Sequence, residues 1–182
     1  MVVLEGKNPL SPVEAVIRPG QPGDLAALLG LYQSVAGQMG SLARRADEIT
    51  PDYVQGFVDK AAHAGVWLVA EDEHGLCADI HASRPSPRDF QHVLGDLTVV
   101  VHPRAQDHGL GRKLFSAFLD HVRGEEPGIT RIELITRESN ARARHLYESL
   151  GFQLEGRLRQ RVRHSDGRME DDLFYAWLRA KA

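Results

Sequence analysis

Val99-Val100-Val101-His102-Pro103-Arg104-Ala105-Gln106-Asp107-His108-Gly109-Leu110-Gly111-Arg112-Lys113 is the stretch on which the reading of this chain turns. A valine run ends at His102-Pro103, and a glycine-bearing turn then opens a helix over Gly109 to Val122, with Leu110, Leu114, Phe118 and Val122 on one side. At such a junction the first backbone N–H groups of the helix have no intrahelical partner and sit at the positive end of its dipole, so an anion fits there. Two glycines let the backbone approach a phosphate without Cβ atoms in the way, and Arg112 and Lys113 add charge. A bare G-x-G serves equally well as a plain helix start. Leu114 stands where a dinucleotide fingerprint needs its third glycine, and no G-K-[ST] follows to make a P-loop.

Working outward, the chain reads as one α/β alternation. Upstream lie a short strand over Ala15 to Arg18, a helix with Asp24 as its expected N-cap, and a second helix from Pro51 with Thr50 as N-cap. Val66 to Glu71 and Leu76 to Ala82 form an expected hairpin around Glu73-His74-Gly75, and the central strand spans Leu94 to Val101. Downstream come a strand over Thr130 to Thr136, a helix over Ala141 to Leu150 ended by Gly151, and a final hairpin. Its arms are Phe152 to Arg163 and Arg168 to Leu178, turning at Asp166-Gly167.

A second constellation is Asn140-Ala141-Arg142-Ala143-Arg144-His145-Leu146-Tyr147-Glu148-Ser149-Leu150-Gly151-Phe152. At about 3.6 residues per turn, Asn140 and Tyr147 return to nearly the same helix face. Taken alone, Tyr147 reads as a core aromatic, because it shares the apolar stripe of Ala143, Leu146 and Leu150. The two motifs together, V-x-P then Q-x-x-G-x-G and N-x-x-A-x-x-L-Y-x-x-x-G-F, resemble the GNAT superfamily of N-acetyltransferases over about Val16 to Leu178. Glu155-Gly156 and Asp166-Gly167-Arg168, with His92 further upstream, resemble its small-amine and amino-acid subgroup.

The resemblance implies a GNAT-like α/β (α+β) fold: a single mixed, mostly antiparallel sheet of six to seven strands flanked by about four helices, with a splayed strand pair holding acetyl-CoA. It implies acetyl-CoA contacts at Val99, Val100 and Val101, at Gln106, Asp107, His108, Gly109, Leu110, Gly111 and Arg112, and at Asn140, Ala143 and Tyr147. The chemistry implied is direct acetyl transfer to a primary amine, with Tyr147 as the acid that protonates the leaving thiolate and Asp96 as the base. Asp96 shares an alternation class with Thr98 and Val100, and reads equally as an ordinary paired aspartate; Asp79 is a rival base. The acceptor stays open among free amino acid, polyamine-like amine, antibiotic, lysine and protein N-terminus. A homodimer is compatible with the resemblance, and a CoA-binding sensor without turnover is the non-catalytic alternative.

Composition narrows the rest. With 182 residues, 22 basic and 25 acidic side chains and a net charge of −3, the chain suits one domain, expected over residues 15–182 behind a tail over 1–14, and lacks the dominant positive field of a nucleic-acid or membrane-surface binder. Arg157, Arg159, Arg161 and Arg163 fall on alternate strand positions, a basic stripe for nucleic acid unless they pair across the hairpin, Arg163 with Glu170 and Arg161 with Asp172. The nine histidines form no metal motif, so no metal is expected. Cys77, the sole cysteine, is read as structural and points to a reducing, cytoplasmic setting; apolar runs are too short to span a membrane.

Overall fold

Local sequence sets the order of elements in the computed structural model, which describes residues 14–36, 42 and 44–180. The chain runs β1 (Val16–Pro19), α1 (Leu25–Ala36), α2 (Pro51–Ala64), β2 (Gly65–Asp72), β3 (Gly75–Ser83), β4 (Val93–Val101), α3 (Leu110–Glu125), β5 (Arg131–Arg137), α4 (Ala141–Ser149), β6 (Gln153–Arg163) and β7 (Met169–Leu178). The expected tail falls outside the described residues except for Glu14. The seven strands form one sheet in the order β1-β2-β3-β4-β5-β7-β6. Every neighbouring pair is antiparallel except β4 and β5.

Period-two alternation divides the side chains between two cores. On β2, Val66, Leu68 and Ala70 join Leu114, Phe115 and Phe118 of α3, whereas Trp67 and Val69 join Leu28, Leu31 and Tyr32 of α1 and Val54 and Val58 of α2. Helices α3 and α4 therefore cover one face and α1 and α2 the other. Each fully buried large apolar side chain stabilises by about 1.5–3 kcal/mol, so both faces are firmly held.

Three local expectations are corrected. Asp24 does not cap α1: Pro22–Asp24 forms a 3-10 turn, and its carboxylate accepts from the Gln21 N–H at 2.9 Å and from both terminal nitrogens of Arg18 at 2.8 Å. Thr50 does cap α2, its hydroxyl accepting from the Tyr53 N–H at 3.2 Å. The last hairpin turns through three residues, not two, because the His164 N–H bonds to the Arg168 carbonyl at 2.9 Å and Gly167 takes φ +84°. One extra turn residue shifts the register by one, so Arg163 faces Met169, and Glu170 faces Val162. Glu170 bonds to His164 instead, at 2.7 Å.

Further along β6 the alternation of the four arginines is broken. Leu158 pairs with Asp172 and Val162 with Glu170, four residues advancing against two, and Gln160 takes φ +54°. Arg157 consequently pairs with Glu138 and Asp171, while Arg161 lies near Asp172 with Nε 3.8 Å from Oδ2. The continuous basic stripe therefore does not form.

Candidate active site

The sheet is opened at its centre. Parallel pairing of β4 with β5 is confined to Val93 with Arg131 and Leu94 with Ile132, after which the two strands part. The gap they leave is the heart of a cleft of about 670 Å³, lined from β4 by Leu97 to Val101 and from β5 by Ile135 to Arg137. Its walls come from both cores. Tyr147, Ala143 and Leu110 belong to the α3 side, and Val35 and Tyr53 to the α1–α2 side, so the cleft passes through the sheet and has two mouths.

The mouth on the α3 side is built from the glycine-bearing loop. Gly109 takes φ +77°, which favours glycine whatever the surrounding space. The first intrahelical bond runs from the Lys113 N–H to the Gly109 carbonyl at 3.1 Å, so the N–H groups of Leu110, Gly111 and Arg112 precede the ladder and have no partner within the helix. Side chains fix the loop's shape. The Gln106 amide donates to the Val101 carbonyl at 2.9 Å, and Arg142 of α4 donates to the Asp107 carboxylate at 2.6 Å. Arg112 donates to the Ser149 hydroxyl at 2.7 Å, tying α3 to the end of α4. Of the expected cofactor contacts on this loop, Gln106, Asp107, Gly109, Leu110, Gly111 and Arg112 line the cleft; His108 does not.

Helix α4 closes the same mouth from the β5 side. Asn140 caps it, its side-chain oxygen accepting from the Ala143 N–H at 3.2 Å, and Asn140, Ala143 and Tyr147 all face the cleft. The Tyr147 ring packs among Phe115, Phe152 and Tyr175, with centroids 5.7, 6.1 and 6.3 Å away. Its hydroxyl makes no hydrogen bond to a described residue. Burial pushes its pKa up to about 12, which keeps the phenol protonated at neutral pH and able to act as a donor. Tyr175 anchors the helix from behind by donating to Glu148 at 2.8 Å. Tyr147 is thus at once part of the α3-side core and part of the cleft wall.

The expected base is placed elsewhere. Asp96 sits at a bulge, with φ +52°, where the β3 register shifts between His81 and Ser83. Leu94 and Leu97, three residues apart, therefore both pack toward α3, and the simple alternation that grouped Asp96 with Thr98 and Val100 is interrupted. Its side chain is exposed and absent from the cleft wall. Asp79 is wholly buried and saturated: it accepts from Trp67 Nε1 at 2.8 Å and from the Tyr32 hydroxyl at 2.7 Å, and lies 2.9 Å from His81 Nδ1. Cys77 is also enclosed, and burial pushes its thiol up to about 11, so it stays a thiol.

The mouth on the α1–α2 side gathers residues that sequence spacing does not mark as a site. Arg44, Tyr53, Arg137, Arg161 and Asp172 meet there from five separate segments. Asp172 is one of two carboxylates on the cleft wall, and Asp107 at the opposite mouth is the other. Burial raises the Asp172 carboxyl above its ordinary value, outweighing the opposite pull of Arg161 and Arg137. The sequence offers Arg161 and Asp172 only as a cross-strand charge pair, and no regular interval connects them to Arg44, Tyr53 and Arg137.

A model of the acetyltransferase (GNAT) family matches residues 35–152. Mycothiol acetyltransferase of Beutenbergia cavernae is 42% identical over 89 residues, covering 48% of this chain and 28% of that protein. The [ribosomal protein bS18]-alanine N-acetyltransferase of Escherichia coli is 39% identical over 89 residues, 47% of this chain and 58% of that protein. The matched stretch is thus under two thirds of either relative's length. Among solved structures, an acetyltransferase of the GNAT family from Streptococcus pneumoniae superposes with a TM-score of 0.82 at 22% identity, covering 91% of this chain and 99% of that one. The yncA protein of Salmonella typhimurium, solved with its cofactor acetyl-CoA, gives 0.76 at 23% identity over 90% and 93% of the two chains. At these identities the likeness is one of fold. No described helix is long and apolar enough to cross a membrane.

Proposed function

The chain belongs to the acetyltransferase (GNAT) family, and on that premise we propose that residues 15–182 act as one N-acetyltransferase domain that moves the acetyl group of acetyl-CoA to the primary amine of a small molecule. One observation carries the reading. Helix N-terminal amides that precede the intrahelical ladder and a buried phenol stand on opposite sides of a single gap between β4 and β5. A cavity of about 670 Å³ falls in the range of small-molecule sites, roughly 300–1,000 Å³. One relative is named for mycothiol and the other for an alanine of a ribosomal protein; the cation-lined second mouth favours the smaller kind of acceptor.

The residues present fit acetyl-CoA. The N–H groups of Leu110, Gly111 and Arg112 would take its diphosphate, with Gly109 shaping the approach. The edge of β4 around Val99 and Val101, which has no strand partner on the β5 side beyond Leu94, would pair with the amide-bearing arm. When bound, acetyl-CoA supplies an acyl group activated as a thioester. The neutral amine nitrogen forms its bond to the acyl carbon as the carbon–sulfur bond breaks. Tyr147 gives its hydroxyl proton to the departing sulfur, and a β4 N–H near Val99 stabilises charge on the carbonyl oxygen. Asp172, at the other mouth, takes the proton from the amine. A chain whose one cysteine, Cys77, is free and buried suits a reducing compartment such as the cytoplasm. Both mouths are assembled from one chain, so the reading does not require a dimer.

Thiol release from acetyl-CoA with a panel of amines tests the proposal. Tyr147→Phe should lower kcat roughly a hundredfold and leave CoA affinity nearly unchanged. Equal turnover would remove the assigned acid, and failure of the wild-type chain to bind CoA would remove the reading itself.

A further inference from the structure

The second mouth carries an excess of fixed positive charge that the diphosphate does not account for. The loop on the α3 side already has Arg112 and Arg142, engaged with Ser149 and Asp107. On the α1–α2 side, Arg44, Arg137 and Arg161 line the cleft together with one carboxylate, Asp172. Elsewhere on this sheet arginines are closely matched by acids, Arg131 by Glu133 and Glu155, and Arg157 by Glu138 and Asp171. Here they are not. Arg161 Nε stays 3.8 Å from Asp172, too far for a hydrogen bond, and Arg137 donates to the Leu42 carbonyl at 3.1 Å. The Arg44 guanidinium lies 4.2 Å above the Tyr53 ring. Three guanidiniums, which cannot shed their charge, therefore share a single counter-charge.

The backbone is bent to produce this arrangement. Gln160 holds φ +54°, a region that a residue with a Cβ enters at a cost, and its N–H is fastened to the Asp171 carboxylate at 2.7 Å. The bulge brings Val162 opposite Glu170, where regular pairing from Leu158 would place Gln160, and Arg161 and Val162 line the cleft wall. Glu170, the next nearest acid, is occupied by His164 and by the Ser139 N–H at 2.8 Å.

We infer that the acceptor is a zwitterionic small molecule, an amine with an oxyanion a few bonds away, whose anion is held by Arg161, Arg44 and Arg137 and whose ammonium is drawn to Asp172. The planar forks of arginine suit a carboxylate or phosphonate in two-point contact. This rests on the acetyl-transfer reading and names its acceptor class. Dispersed amines such as polyamines have no complement at a mouth with three cations.

The test compares α-amino acids with their decarboxylated amines and their carboxamides, together with one aminophosphonate analogue and a short peptide with a free N-terminus, by thiol release from acetyl-CoA. Amines with the oxyanion should give kcat/KM at least about tenfold higher than their uncharged counterparts, and the phosphonate separates the two anions. Arg161→Gln should raise KM for the anionic acceptors about tenfold, weaken the preference for them over the decarboxylated amines by a similar factor, and be partly rescued by Arg161→Lys. Equal or better turnover of the uncharged amines or the peptide, or a preference that survives in the Arg44→Gln, Arg161→Gln double variant, overturns the inference and leaves acetyl transfer standing. A chain that binds CoA in a thermal-shift assay yet releases no thiol with any acceptor overturns both.

Discussion

The two mouths of the cleft are made by different means. The mouth proposed for the diphosphate is shaped by one continuous segment, Gln106 to Arg112, where backbone N–H groups would do the binding and glycine supplies the geometry. The acceptor mouth gathers side chains from the segment after α1, from α2, and from β5, β6 and β7, and it depends on a bulge to complete itself. Backbone recognition tolerates few changes within a short motif. Side-chain recognition can be rebuilt one residue at a time, so the proposed acceptor mouth is the part of the cleft freer to differ.

The largest effect expected from perturbing this contrast lies beneath the acceptor mouth. Asp79→Ala strips the partner from Trp67 and Tyr32 in a fully enclosed site, and should cost about 3–5 kcal/mol of stability. Chemical denaturation would measure it, and a loss below about 1 kcal/mol would mean that the network does not hold α1 against the sheet. Next comes Gly109→Val. A β-branched side chain forced to φ +77° pays at least about 1–2 kcal/mol and turns the neighbouring N–H groups away, so CoA affinity should fall by roughly tenfold or more. Titration calorimetry distinguishes this from Arg161→Gln, which should leave CoA binding untouched.

Smaller effects sharpen the acceptor side. Because the Asp172 carboxyl is raised by folding above its ordinary 3.8, the fold favours its protonated form. That stabilisation is present below 3.8 and is lost as the pH climbs through the raised value. Asp172→Asn should therefore gain relative to the parent on moving from pH 3 toward 7, with a melting temperature at neutral pH up to about 2 °C higher while acetylation falls. A variant less stable than the parent at neutral pH would contradict the sign. Smallest is Gln160→Gly, which relieves φ +54° against a loss of chain entropy and should change stability by at most about 1 kcal/mol. If the Asp171 clamp still holds the bulge, acceptor KM in this variant stays within about twofold, since no contact to the acceptor is removed.

The same contrast explains what could be read from the chain. Strand, loop and helix from Val93 to Glu125, and the Asn140 to Tyr147 face of α4, were legible because periodicity and glycine placement are local signals. The parting of β4 from β5 was available only through family likeness. The placing of Asp96 and the spacing of the β6 arginines escape a simple alternation for one reason: each strand carries an irregularity that changes which face the neighbouring side chains occupy. The turn at Ser165 to Gly167 added a third such shift. Asp172 was legible only as a cross-strand partner of Arg161, and Arg44 and Arg137 gave no signal, since residues that meet through tertiary structure share no spacing.

The most direct test of the account is a crystal structure of the chain with CoA bound. Diphosphate oxygens about 3 Å from the Leu110 and Gly111 nitrogens, with the sulfur beside the Tyr147 hydroxyl, are the expected result. A diphosphate lodged on any other surface, or a sulfur directed away from Tyr147, would contradict it.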